Sequence, residues 1–261
     1  MTNYFMRDMV NDALQTNVND ADWSNVLLIT PYQNDQSLLY EYADCIAVRA
    51  YLKMISLPFR VDQRPNAEFM SPSGTVPFLK VDEHLVADFQ PIVDLVAKKG
   101  LKLSATLTDS QLIDMYAHMA LIEETLKFVE MHICWFDKAT YDQVTKQRYG
   151  MVYLWPLRHV LPPLKRREIY NYLDGMQWLD KTPGQLMDAA DRVFRSLSVM
   201  LGSKDYFMGS QPTELDALAF GHLYTILTTE LPNMDLAELV RKHDNLVKFC
   251  KKIDHEFFTK K

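Results

Sequence analysis

The 261 residues include only three cysteines, Cys45, Cys134 and Cys250, and none lies in a C-x-x-C pair. So odd and scattered a set gives no disulfide framework and no thiolate zinc site, and it fits a reducing compartment. A long apolar run is also missing. The longest stretch without a charged side chain is the thirteen positions 217–229, whereas a membrane-spanning helix needs about 20 apolar residues. The sequence therefore predicts no transmembrane segment. The first thirty residues hold one base, Arg7, against four acids, Asp8, Asp12, Asp20 and Asp22. That is the reverse of a matrix presequence, and the apolar core of a secretory signal is missing too. The expected location is the cytosol, or a membrane face turned toward it.

Signatures of chemistry are equally scarce. There is no G-x-G-x-x-G, P-loop or G-x-S-x-G, which removes the common nucleotide and acyl-transfer fingerprints. The seven histidines form no H-E-x-x-H or H-x-x-x-H pair. Asp114 and His118 share a helical face, but two ligands do not make a metal site. A formal charge of −6 opposes broad binding to a polyanion such as nucleic acid. The basic clusters Lys165-Arg166-Arg167 and Lys251-Lys252 read as solvated helix faces, with an anionic membrane surface as the alternative.

What is present is a folding pattern in two parts. Residues 1–35 read as an extension of unclear structure, with a short amphipathic helix over "NYFMRDMVNDAL" and a strand over "NVLLIT". A strand is predicted over 37–42. A helix over 44–57 follows, with Asp44 as its N-cap and Pro58 as its stop. Further strands are expected over 59–64, 76–82 and 84–89, the last two paired through a turn near Asp82-Glu83. A helix over 90–100 has Pro91 near its start and Gly100 beyond its end. This order defines an α/β unit over 36–103.

From 104 to 261 the signals are helical. Thr108-x-x-Gln111 and Thr182-x-x-Gln185 are capping boxes ahead of amphipathic helices. Thr213-x-x-Asp216 is a third, with Asp in place of Glu, opening a helix whose apolar residues run most of the way round. Asp216 is thus needed at a helix start and not for acid–base chemistry. His222 lies six positions on, on a different face, and reads as a packed residue. Glu214 suits the helix dipole. Between these helices, residues 149–164 crowd Tyr149, Met151, Tyr153, Leu154, Trp155 and Leu157 around three prolines. Pro156 is expected to prevent a regular helix there. Tyr149, Tyr153, Trp155 and Leu157 are the candidate partner-contact residues, because aromatic and Met-rich surface suits a hot spot; the alternative is that these groups cover the core beneath a long connection.

Val76-Pro77, at a strand entry after a Gly-containing loop, is a candidate cis peptide. With the hairpin and helix after it, the first unit resembles a thioredoxin-like domain, and the whole resembles the α+β two-domain glutathione-transferase architecture. In that family the residue before the cis-proline pairs its backbone with glutathione, and an acidic or amide residue followed by Ser holds the γ-glutamyl end. Here the dipeptide is Asp88-Phe89, which removes the hydroxyl and is expected to put a ring where the ligand would lie. Tyr42 and Cys45 are candidate counterparts of the catalytic group, with Cys45 as a small helix residue without chemistry the favoured alternative. Cys45 is expected one residue past a helix N-cap, where the dipole favours a thiolate and the Asp44 carboxylate opposes it.

The runs "RPNAEFMSPSGTVPFLKV", "YGMVYLWPLRHVL" and "QPTELDALAFGHLYTILTTEL" are similar to the metaxin family, most of all to its second type, from about residue 37 onward. The resemblance implies a non-enzymatic scaffold subunit without cofactors, peripheral on the cytosolic face of the mitochondrial outer membrane. It further implies membership of the sorting and assembly machinery for β-barrel proteins. The implied partners are a type 1 metaxin, in a heterodimer, and the β-barrel assembly core protein. A Miro-type GTPase and kinesin or dynein adaptors are implied through a role in mitochondrial movement. A glutathione-dependent transferase is the enzymatic alternative. A second candidate contact surface, beside 149–164, is the altered pocket around Val76 and Phe89.

Overall fold

The computed structural model describes residues 23–33 and 35–259. The helix expected over "NYFMRDMVNDAL" lies outside them. Strand β1 (Leu27–Thr30) is followed by helix α1 (Leu39–Met54), strand β2 (Arg60–Gln63), a short helix α2 (Ala67–Met70), strands β3 (Phe78–Val81) and β4 (His84–Ala87), and helix α3 (Phe89–Lys98). The sheet order is β2-β1-β3-β4. β1 runs parallel to β2 and antiparallel to β3, and β3 pairs with β4 in an antiparallel hairpin. Alternation along the strands divides their side chains between two cores. Leu28, Leu79, Val81 and Val86 join the main core with α1 and α3. Ile29, Phe78 and Ala87 meet Ala67 and Val76 on the other face.

Two expectations about this unit are corrected. Residues 37–42 form no strand: from Leu39 they are the first turn of α1, whose N-cap is Leu38. The sheet's first strand is instead 27–30, ahead of the boundary expected at 36. Consequently Asp44 is no cap. It lies inside α1, where its carboxylate meets Lys127 Nζ at 2.8 Å. Helix α1 is buried on nearly every side, so its sequence lacks the polar face that would have revealed its period.

The helical half comprises α4 (Asp109–Leu121), α5 (Lys127–Phe136), the short α6 (Lys138–Thr140) and α7 (Lys146–Gly150), then α8 (Leu157–Gly175), α9 (Pro183–Leu201), α10 (Glu214–Thr228), α11 (Asp235–Arg241) and α12 (Asp244–Ile253). A π-helical turn over 122–126 joins α4 to α5. The buried side is set by Met115, Met119, Ile122, Leu126 and Val129, and Tyr116 is exposed. All three expected capping boxes are present. The Asp216 carboxylate accepts from the Thr213 amide at 2.8 Å and the Thr213 hydroxyl at 2.6 Å. It also accepts from the Phe207 amide at 2.8 Å, which ties the preceding loop to the helix.

Helix α10 is the buried axis of the molecule, and it crosses α1 at Gly221. A Cβ there would sit 2.5 Å from the Ala43 carbonyl oxygen and 2.6 Å from the Ala47 methyl carbon. Only glycine lets these backbones approach so closely. Glu214 has a role beyond the helix dipole: its Oε1 accepts from the Leu103 and Ser104 amides at 3.1 and 3.3 Å, fastening the link between the two halves.

Candidate functional site

The four partner-contact candidates separate by burial. Trp155 is 80% exposed and Leu157 is exposed beside it, next to Leu154 at 85%. Tyr153 is half-buried. Tyr149 is a correction: it is buried and cannot meet a partner. Helix α7 turns it inward, edge-on to Trp135 at 5.6 Å, and its hydroxyl donates to Glu68 Oε2 at 3.0 Å. Burial, and then the Glu68 charge, pushes its phenol well up.

The expected break in helix structure is also corrected in part. Residues 151–156 are irregular, but α8 begins at Leu157 and runs through Pro162 and Pro163. These prolines have no amide, so the carbonyls of Arg158 and His159 lose their helical donors. The Arg158 carbonyl instead faces Gly150, where a Cβ would approach it to 2.6 Å. The Tyr153 amide donates to the Gly150 carbonyl at 3.1 Å, and the Arg158 amide to the Leu154 carbonyl at 3.2 Å. The Trp155-Pro156 bond is cis. Leu154 and Trp155 thus stand on a turn pinned at both ends.

Sequence reading missed the other half of this surface. Phe69 is 61% exposed at the end of α2, with exposed Met70 beside it. The Phe69 ring lies 6.5 Å from Tyr153 in an edge arrangement. The signal was available, since "FM" is an apolar pair inside an otherwise polar loop. Beneath the two segments lies an ionic cluster. The buried Lys165 ammonium meets the Glu68 carboxylate, and meets Glu168 at 2.9 Å. Lys165 is therefore not part of a solvated basic face, and Arg166 stacks over Tyr141 at 4.4 Å. Buried Glu41, in the first turn of α1, accepts from the Tyr40 hydroxyl at 3.1 Å. Burial, and then Glu68, raises its carboxyl to about 7.

The transferase-like positions other than Tyr42, which is half-buried, are committed internally. Val76-Pro77 is cis, as expected. Val76 and Phe89 are both buried, so they offer no partner surface. The Phe89 ring does not enter a ligand position: it packs edge-on against Tyr51 at 5.9 Å. Asp88, at φ 68°, accepts from the Thr75 hydroxyl at 2.7 Å. Cys45 is fully buried within α1 and not at its start. Burial, then Asp44, drives its thiol well above the usual range, which removes the thiolate reading.

His222 is packed as expected, within a charged cluster the sequence did not reveal. Its Nδ1 donates to the Glu130 carboxylate, with oxygens at 2.9 and 3.0 Å. Its Nε2 is 3.6 Å from Asp44, which in turn holds Lys127. Burial alone would lower the His222 pKa, but the charge and hydrogen bond of Glu130 outweigh it and the net shift is upward. Burial raises Glu130, with His222 opposing. The cluster joins α1, α5 and α10 and has no opening to solvent at His222 or Glu130.

A cleft of about 560 Å³ opens elsewhere, between α4 and α9, lined by Trp178, Lys181, Arg192 and Ser196 among others. At its edge His118 Nδ1 is 2.7 Å from the Asp114 carbonyl oxygen, and Nε2 is 3.1 Å from the Ser196 hydroxyl. His118 thus bonds the Asp114 backbone, not its carboxylate. Among the described residues no group of three or more His, Cys, Asp or Glu could hold a metal ion.

Residues 45–166 match a family described as outer mitochondrial membrane transport complex protein, and residues 190–253 match the glutathione S-transferase C-terminal domain. The chain is 50% identical to the Metaxin-2 homolog of Caenorhabditis elegans over 84% of its own length and 95% of that protein. It is 41% identical to human Metaxin-2 over 96% of both chains. It is 30% identical to mouse Metaxin-1, over 83% of this chain and 70% of that one. Among solved structures, a glutathione transferase family member from Pseudomonas fluorescens superposes with a TM-score of 0.55 at 13% identity, covering 93% of this chain and 94% of its own. FzlA from C. crescentus gives 0.53 at 14%, covering 88% of each. These two structures share the fold alone.

Proposed function

The chain belongs to the metaxin family, nearest its second type, and from that premise we propose that it is a non-enzymatic scaffold subunit of a transport complex of the mitochondrial outer membrane. In finer terms it serves the sorting and assembly machinery that inserts β-barrel proteins, on the cytosolic face, and is held there by a type 1 metaxin. The observation that carries this reading is the Leu154–Trp155 turn, 85% and 80% exposed on a rigid mount. A large apolar pair held in water by a pinned backbone is costly unless something covers it. Of the groups that would serve glutathione chemistry, Asp88 is bonded to Thr75 and Cys45 is a buried thiol, which favours surface recognition over catalysis. No helix among the described residues is long and apolar enough to cross a membrane, which agrees with attachment through a partner. Affinity purification of the tagged chain from detergent-solubilised outer membranes tests the proposal. Recovery with a type 1 metaxin and the barrel-assembly core is expected. Recovery of the chain with neither would overturn it.

A further inference from the structure

The charges around the exposed turn define what should cover it. Residues 143–167 contain six cations, Lys146, Arg148, Arg158, Lys165, Arg166 and Arg167, and no acid, in a chain of net charge −6. Three of the six are used at home. Lys165 is paired with Glu68 and Glu168, Arg166 lies over Tyr141 and Phe136, and Arg148 donates to the Ser37 carbonyl at 3.1 Å. Lys146, Arg158 and Arg167 are exposed, and no carboxylate among the described residues pairs with them. A centre of Phe69, Met70, Leu154 and Trp155 therefore adjoins a stretch with three cations that pair with no carboxylate, while the nearby acids Glu68 and Glu168 are both engaged by Lys165.

We propose that this bipartite surface docks a protein partner whose contact face is apolar at its centre and carries carboxylates at its rim. This rests on the reading of the chain as a scaffold subunit, and it assigns the type 1 metaxin to this face. A protein fits better than a lipid surface on two counts. The composition is aromatic, Met and Arg, which is the signature of protein interface centres. The mount is also preorganised from two distant chain segments. Gly150 packs against the Arg158 carbonyl, and Glu68 links α2 to Tyr149 and Lys165. A rigid, shaped surface loses little entropy on docking to a complementary face. The unpaired cations of this stretch add steering of an acidic partner, weakened by salt.

The test uses the full chain and purified type 1 metaxin, titrated by calorimetry, beside vesicles of phosphatidylcholine with about 30% phosphatidylserine, an anionic surface of the kind basic patches favour. The double variant Leu154→Ser/Trp155→Ser is expected to weaken partner binding at least tenfold with its melting temperature unchanged. Arg158→Glu is expected to weaken binding several-fold and to flatten its salt dependence. Wild-type chain that does not bind the partner at all would overturn both this assignment and the reading beneath it. Wild-type binding that neither variant disturbs would overturn the surface assignment alone. Loss of vesicle binding in the variants with partner binding intact would reassign the surface to lipid. Self-association of the wild type abolished by the variants would reassign it to a second copy of the chain.

Discussion

The hydroxyl of Tyr149 donates to Glu68 Oε2 at 3.0 Å, joining residues 81 positions apart in the chain. Through this bond, and the ion pair of Glu68 with Lys165, helix α2 is fixed against α7 and α8. The exposed pair Phe69-Met70 and the turn at Leu154–Trp155 are thereby held as one surface.

Removing the cation from this junction should be severe. Lys165→Met leaves Glu68 and the buried Glu41 facing each other with no positive charge between them. Breaking a buried pair by deleting one partner costs on the order of 3 kcal/mol. Chemical denaturation should show a lowered midpoint of that size, and the partner affinity should fall with it, because Phe69 loses its mount. An unchanged midpoint would show that the pair contributes nothing net.

Two glycines should prove irreplaceable for different reasons. Gly221→Ala places a methyl against the Ala43 carbonyl and the Ala47 methyl, forcing α1 and α10 apart. Overpacking of this kind costs about 1–3 kcal/mol. Gly150→Ala strikes the Arg158 carbonyl and should disturb the 151–156 turn. Thermal melts should show the larger loss at Gly221, and binding assays the larger loss at Gly150.

The cap of α10 should be worth more at Asp216 than at Thr213. Thr213→Ala removes one hydroxyl and is expected to cost about 0.5–2 kcal/mol. Asp216→Ala also strands the buried amides of Thr213 and Phe207, so it should cost about 2 kcal/mol or more. Equal losses in urea titrations would remove the role given to the Phe207 contact.

The buried acids give the stability a distinct dependence on pH. Burial raises Glu41 from 4.5 to about 7 and, against three hydrogen bonds, Asp216 from 3.8 to about 6. A raised carboxyl binds its proton more tightly in the folded chain than in the unfolded one. Its contribution is therefore greatest at low pH and declines as pH rises from the unfolded value through the folded one. His222, also raised, adds stability that is full below 6.5 and is lost as pH rises through its folded value. The sum should make the protein less stable at pH 8 than at pH 5.5. Glu41→Gln should remove part of that decline, on the order of 1–3 kcal/mol between pH 4.5 and 8. Denaturation curves at both pH values check this. A wild type more stable at pH 8 would contradict it.

Local signals were legible wherever chemistry acts over a few residues. The capping boxes at Thr108, Thr182 and Thr213, the turn at Asp82 and the Pro91–Gly100 bracket of α3 are such cases. Failures came where burial erased the contrast between faces. Helix α1 starts with Leu39 and Tyr40, residues at home in a strand, and it is apolar around most of its circumference. Asp44 therefore looked like a cap, when its carboxylate serves Lys127 across the helix pair. Lys165 looked solvated because its neighbours are Arg166 and Arg167, yet it points inward to Glu68 from a position no spacing rule could supply. Trp155 and Leu157 were legible as contact candidates because they flank Pro156, just ahead of the helix that starts at Leu157. Tyr149 was not, since its inward turn depends on Trp135 and Glu68, both remote in sequence.

If the surface around Phe69 and Trp155 is where this chain meets its partner, binding must bury it. Hydrogen–deuterium exchange on the full chain, alone and saturated with type 1 metaxin, reads that surface directly. Slowed exchange is expected in peptides covering 67–71 and 151–160, with the α4–α9 cleft unchanged. Protection confined to other segments, with these two unaltered, would contradict it.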